Sequence, residues 1–164
     1  MTVREDQTRR VTGESGTYGV IEKPDFAVVV PWDGERFYLV EQFRYPVSRR
    51  CWEFPQGSWP APGDLDDPCD LARAELREET GMTAGSLTSL GYLHEAYGYC
   101  TSGFEVWLAS QLVGGAQQLE PTEADLVIAS FTADELWRLV TGGQLTDAQT
   151  LAALALFTHH NATC

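Results

Sequence analysis

Lysine is almost missing from this chain: its 11 lysines and arginines include a single lysine, Lys23, and 24 acidic residues bring the formal charge to −13. A field of that sign repels polyanions, which excludes a broad nucleic-acid surface and leaves no nucleic-acid partner expected. A small phosphorylated ligand stays compatible with it, provided metal ions screen the charge locally. Long apolar runs are missing too. The longest, "LAALALF" at 151–157, is too short to span a bilayer, and the start, "MTVREDQTRRVTGESG", has no apolar signal-peptide segment. The expectation is a cytoplasmic protein with no membrane partner. Cysteine is sparse: Cys51, Cys69, Cys100 and Cys164 show neither CxxC spacing nor adjacent histidines, so they read as free thiols. "HHNATC" at the C-terminus reads as a frayed tail rather than a metal site. There is no internal repeat.

What is present is a core. An apolar fraction of 43% with 7 Phe, 6 Tyr and 5 Trp suits one globular domain. Residues 1–16 read as a polar N-terminal arm, mobile or partner-binding, and 17–160 as a single domain. "TYGVIE" reads as a strand. "FAVVVPW" and "RFYLVEQF" flank Asp33-Gly34 and predict a hairpin. "WEFP" at 52–55 is a further extended segment, followed by the Gly/Pro-rich loop "QGSWPAPGDLD". A helix then starts at Asp67 as cap with Pro68 in its first turn, and stops at Gly81. Strands are expected at about 86–93 and 104–112 and over "LVIASF". Two closing helices carry capping boxes at Thr132/Glu135 and Thr146/Gln149. Strands first, one helix mid-chain and helices last predict an α+β fold with a mixed sheet between helices.

The central helix, "LARAELREETGM", poses an electrostatic problem. Glu75, Glu78 and Glu79 stand at i, i+3 and i+4 and share one face, where each like-charge pair costs ~0.2–0.5 kcal/mol. Arg73 and Arg77 lie on the opposite face and are expected to reach none of the three. Such a face is most often simply solvated. Here a Gly-rich loop after a strand precedes the helix and a glycine closes it, and clustered carboxylates of this kind suit a hard divalent cation, Mg²⁺, that shares its remaining positions with phosphate oxygens.

These residues resemble a known family. "GSWPAPGDLDDPCDLARAELREETGM" is similar to the Nudix box, G-x5-E-x7-R-E-U-x-E-E-x-G-U with U aliphatic: Gly57 opens it, Asp66 takes the acidic position, and Glu75, Leu76, Glu78, Glu79, Gly81 and Met82 complete it. The preceding "WEFPQG" is also typical of the family. Two departures stand out. Eight residues rather than five separate Gly57 from Asp66, and Ala74 occupies the place of the box arginine. The resemblance implies a Nudix-type α/β/α sandwich. It also implies a Mg²⁺ site (Mn²⁺ being the alternative) with Glu75 and Glu79 as main ligands, Glu78 in support and catalysis, and the Gln56 carbonyl completing the shell. The catalytic base would come from "LEPTEAD", with Glu123 preferred over Glu120 and Asp125.

"VEQFRYPVSRRCWEFPQG" and "ADELWRLVTGGQLTDAQTLAALALF" resemble the ADP-ribose pyrophosphatase branch, so that similarity covers roughly residues 17–157. By that resemblance the protein hydrolyses the diphosphate of nucleoside diphosphate-X compounds to a nucleoside monophosphate and a sugar phosphate, commonly as a homodimer. Arg44, Arg49 and Arg50 are then candidates for the small-molecule nucleotide substrate, and Tyr97, Tyr99 or Phe104 for stacking on its base. Competing readings are a Nudix hydrolase of dinucleoside polyphosphates, oxidised nucleotides or a coenzyme, and a silent nucleotide-sensing domain.

Overall fold

The fold is that of a computed structural model, which describes residues 1–58, 67–119 and 123–163. In chain order the elements are β1 (Thr2–Arg9), β2 (Ser15–Glu22), β3 (Phe26–Pro31), β4 (Phe37–Arg44), β5 (Arg49–Glu53), β6 (Gln56–Ser58), α1 (Pro68–Thr80), β7 (Thr83–His94), β8 (Gly103–Val113), β9 (Val127–Phe131), α2 (Ala133–Thr141) and α3 (Ala148–Thr163). β1 and β2 form an antiparallel hairpin. A four-stranded mixed sheet runs β6-β3-β8-β7, and a three-stranded sheet runs β5-β4-β9. The mixture comes from β3, which is parallel to β8 and antiparallel to β6.

β3 shows why the layers form. Every one of its residues is buried, as a run of β-branched residues covered on both faces requires. Ala27 and Val29 point to one side, against Leu71, Ala72 and Leu76 of α1. Phe26, Val28 and Val30 point to the other, into a larger core with Phe37, Leu39, Phe54, Leu136, Leu154 and Phe157. The result is an α/β/α sandwich around a mixed sheet. Among the described residues no helix is long and apolar enough to cross a membrane.

Four expectations are corrected. The stretch 1–16 holds a strand where none was expected: residues 2–9 pair along their whole length with 15–22. The Asp33-Gly34 turn exists, with Asp33 Oδ1 accepting from the N–H groups of Glu35 and Arg36, but β3 and β4 do not pair beyond one bridge at Trp32 and Phe37. Both edges of β3 are taken by β6 and β8, so the chain crosses from one sheet to the other at that turn. α3 is capped one residue later than expected, by Asp147 Oδ2 accepting from Thr150 N at 2.8 Å, while the box at Thr132/Glu135 is present as read. Finally, "HHNAT" continues α3 to Thr163 rather than fraying.

Candidate functional site

α1 is built as its sequence dictates. Asp67 caps it through its side chain, Pro68 fills the first turn, and Gly81 closes it at φ 71°, a left-handed value suited to glycine. A Cβ on Gly81 would lie 2.5 Å from the Gly115 carbonyl, because the chain after β8 folds tightly over this helix end. There Gln117 Nε2 donates to the Glu79 carbonyl at 2.7 Å and Gln118 N to the Glu78 carbonyl at 3.0 Å. The last carbonyls of α1 are thus satisfied by the same segment that leads towards Glu123.

The acidic face is turned inward at Glu79, which is 1% exposed. Burial first, then the charges of Glu75, Glu123 and Glu53, push its carboxyl well above the usual range, opposed by the hydrogen bond from Gln56 N at 3.2 Å. Glu75 sits against Gly57, where an added Cβ would lie 2.2 Å from its Oε1. The opening glycine of the box is therefore a glycine because Glu75 occupies the space a side chain would need. Glu78 is more exposed, and Arg77 Nη2 does reach it at 3.8 Å, a correction to the expectation that the helix's own arginines touch none of the three. Among the described residues no three of these side chains close into a preformed cage of metal ligands. Crowded, mutually repelling carboxylates around a buried one nonetheless fit a cation such as Mg²⁺, which keeps several waters and needs few protein oxygens.

Sequence reasoning missed Glu53, which is the hub of the site's polar network and 2% exposed. It accepts from Gln42 Nε2 at 2.8 Å, from Gln56 Nε2 at 3.2 Å, and from Arg44 at 2.6 Å (Nη2) and 3.1 Å (Nε). Gln56 Nε2 also lies 3.4 Å from Asp147, the α3 cap. Burial raises the Glu53 carboxyl above its ordinary range, Arg44 works against that, and Asp147 adds to it. Desolvation alone would lower the arginine; Glu53, with Glu79 and Asp147 further off, holds it above its usual value instead. A sequence signal existed: Glu53 follows Cys51 by two on β5, on the face that the strand buries.

The other expected substrate residues divide. Arg44 lines a cavity of about 450 Å³ with Lys23, Cys51, Glu53, Glu95 and Asp147. Arg50 points to the opposite face, where it pairs with Glu41 at 2.9 Å and Asp125 at 2.5 Å, so neither it nor Asp125 joins the cluster. Arg49 donates to the Gly143 carbonyl at 2.6 Å. Phe104 is corrected outright: it is 3% exposed and stacks on Phe26 in the core at 5.0 Å, out of reach of any base. Tyr97 and Tyr99 are exposed. Cys51, Cys69 and Cys100 are free thiols. Asp66, Glu120 and Cys164 lie outside the described residues.

No family model matches the chain. Among characterised proteins it is 30% identical over 154 residues to an ADP-ribose pyrophosphatase of Mycobacterium tuberculosis (strain ATCC 25618 / H37Rv), covering 93% of this chain and 73% of the relative. It is 28% identical over 144 residues to an ADP-ribose pyrophosphatase of Bacillus subtilis (strain 168), covering 87% and 76%. The crystal structure of an ADP compounds hydrolase has the same fold, with a TM-score of 0.79 at 20% identity over 96% of this chain and 92% of that one.

Proposed function

The chain belongs to the ADP-ribose pyrophosphatases of the Nudix family, and from that premise we propose that it hydrolyses the diphosphate of ADP-ribose or a related nucleoside diphosphate sugar. The observation that carries this is the buried Glu79, pressed by Glu75, Glu123 and Glu53 with its helix end held in place. Mg²⁺ or Mn²⁺ would be held by Glu75, Glu79, the Gln56 carbonyl and Glu78. When bound it would withdraw charge from the diphosphate and lower the cost of the departing phosphate. Arg44 supplies the fixed positive charge at the cavity wall that a diphosphate needs. Glu123, whose charge already acts on Glu79, takes the proton of the attacking water as its oxygen bonds to phosphorus. The bridging P–O bond breaks, releasing a nucleoside monophosphate and a sugar phosphate. The same reading takes the protein as cytoplasmic and homodimeric. Free thiols suit the first, and the β1–β2 hairpin, with Val3 and Tyr18 exposed, offers a surface for a second copy.

The test is monophosphate release from a panel of ADP-ribose, ADP-sugars and dinucleoside polyphosphates with Mg²⁺ or Mn²⁺. ADP-ribose or an ADP-sugar should lead, and Glu123→Gln should lower kcat by about 10²-fold or more with little change in KM. No release with either metal overturns the reading. Gly57→Ala gives a second check. The inserted methyl must displace Glu75, the end of a flexible side chain, so thermal stability should barely change. Divalent-metal affinity or activity should nonetheless fall about 10–100-fold, as for a misdirected ligand, measured by metal titration against turnover.

A further inference from the structure

The cavity lined by Arg44 and Glu53 shares two residues, Lys23 and Glu95, with a second cavity of about 320 Å³. Lys23 Nζ and a Glu95 carboxylate oxygen are 2.6 Å apart and stand as the common wall. Lys23 is the chain's only lysine, and its ammonium also lies 5.4 Å from the centre of the Phe26 ring. Beyond the pair the second cavity is mostly apolar, lined by Met1, Ile21, Ala96, Tyr99 and Cys100, with the amide of Gln149 beside them. The charged groups are therefore set apart in order: the carboxylates and Arg44 in the first cavity, with Pro46 and Val47 beside them, then a side-by-side donor and acceptor, then a wall whose side chains are uncharged and include an aromatic ring.

That order is the order of parts in a nucleotide. An ammonium only donates and a carboxylate only accepts, so together they match a neutral group that does both, such as a vicinal diol. A second phosphate would meet the charge of Glu95, and a purely apolar group would strip water from both charges without replacing it. Acidic side chains recognise ribose hydroxyls in this way in dinucleotide-binding folds of quite different architecture. We propose that Lys23 and Glu95 form a subsite for the ribose diol of the nucleoside half of the substrate, with the base against Ile21, Ala96 and Tyr99 and the distal sugar directed away. The assignment rests on the hydrolase reading for its diphosphate end only.

The experiment measures binding of 5′-AMP and 2′-deoxy-AMP by calorimetry to wild type, Glu95→Gln and Lys23→Met, without metal. Turnover of ADP-ribose and ADP-glucose is then measured with Mg²⁺. Both side chains are partly exposed, and circular dichroism and Tm confirm that the variants fold. Wild type should prefer 5′-AMP by about ten-fold, the worth of a hydrogen bond to a charged group, and each variant should erase that preference. KM for both ADP-sugars should rise together, with kcat nearly unchanged. Diol preference that survives in both variants overturns the subsite. So does a KM effect confined to one distal sugar, since the pair would then read the distal group. Diol preference lost in the variants, in a protein that cleaves no diphosphate at all, supports the subsite while removing the hydrolase reading.

Discussion

Glu79→Gln is expected to lower turnover by about two orders of magnitude or more while the metal-free protein becomes more heat-stable. Glutamine keeps the shape and keeps an oxygen to accept from Gln56 N, so packing survives. What goes is a negative charge that burial and the carboxylates of Glu75, Glu123 and Glu53 all disfavour. The sign with pH follows. The folded protein binds the Glu79 proton more tightly than the unfolded chain, so its contribution to stability is present below the ordinary value of 4.5 and is lost as pH rises through the higher folded value. Glu53 acts in the same direction. Asp33 and Glu135 act oppositely, because backbone N–H groups lower their carboxyls, and their effect is confined to pH below 3.8 and 4.5. Metal-free wild type should therefore lose stability as pH rises above 4.5, and Glu79→Gln should lose less. Added Mg²⁺ should raise the wild-type Tm at pH 8 and leave the variant almost unmoved. Near-normal turnover in the variant, or a steeper loss of stability with pH, would remove Glu79 from the centre of the site.

Much of this was readable from residues whose signal is local. Asp67, Pro68 and Gly81 mark α1 because capping and left-handed closure depend on neighbours a few positions away, and Thr132 with Glu135 marks α2 for the same reason. The three glutamates of α1 could be placed on one face from helical spacing alone. Other features depend on what meets across the sheets, and spacing says nothing of that. Asp33-Gly34 carries the composition of a hairpin turn, yet the edge of β3 that β4 would occupy belongs to distant strands. Phe104 looks available as an aromatic near a loop, but its register opposite Phe26 places it in the core. Arg50 is one residue from Arg49, and strand alternation sends it to the far face, to Glu41 and Asp125. Glu53 was overlooked because a single acid in a short strand reads as exposed. Its partners Gln42, Arg44 and Gln56, and the Asp147 charge that opposes it, come from three other places in the chain.

Arg44→Met should produce the largest loss of stability, through Glu53. The Glu53 side chain is 3% exposed and the Arg44 side chain 40%, so the pair is buried at one end only. Removing one partner of a fully buried pair costs ~3–5 kcal/mol, and partial exposure of the arginine brings the expectation down to about 2–3 kcal/mol. For a chain of 164 residues that is a fall in Tm of roughly 4–12 °C. The loss should grow with pH. Without the guanidinium, burial and Asp147 push the Glu53 carboxyl higher still, so a proton relieves the unpaired charge at low pH, and that relief is lost as pH rises. A double variant, Arg44→Met with Glu53→Gln, leaves no buried charge at this position. Gln42 and Gln56 keep an amide oxygen to donate to, so it should be more stable at pH 8 than Arg44→Met alone. Activity separates from stability in the same pair. Both variants lack the cation proposed to face the diphosphate, so both should show a raised KM for ADP-ribose. Recovery of KM along with Tm in the double variant would mean that Arg44 serves the fold alone.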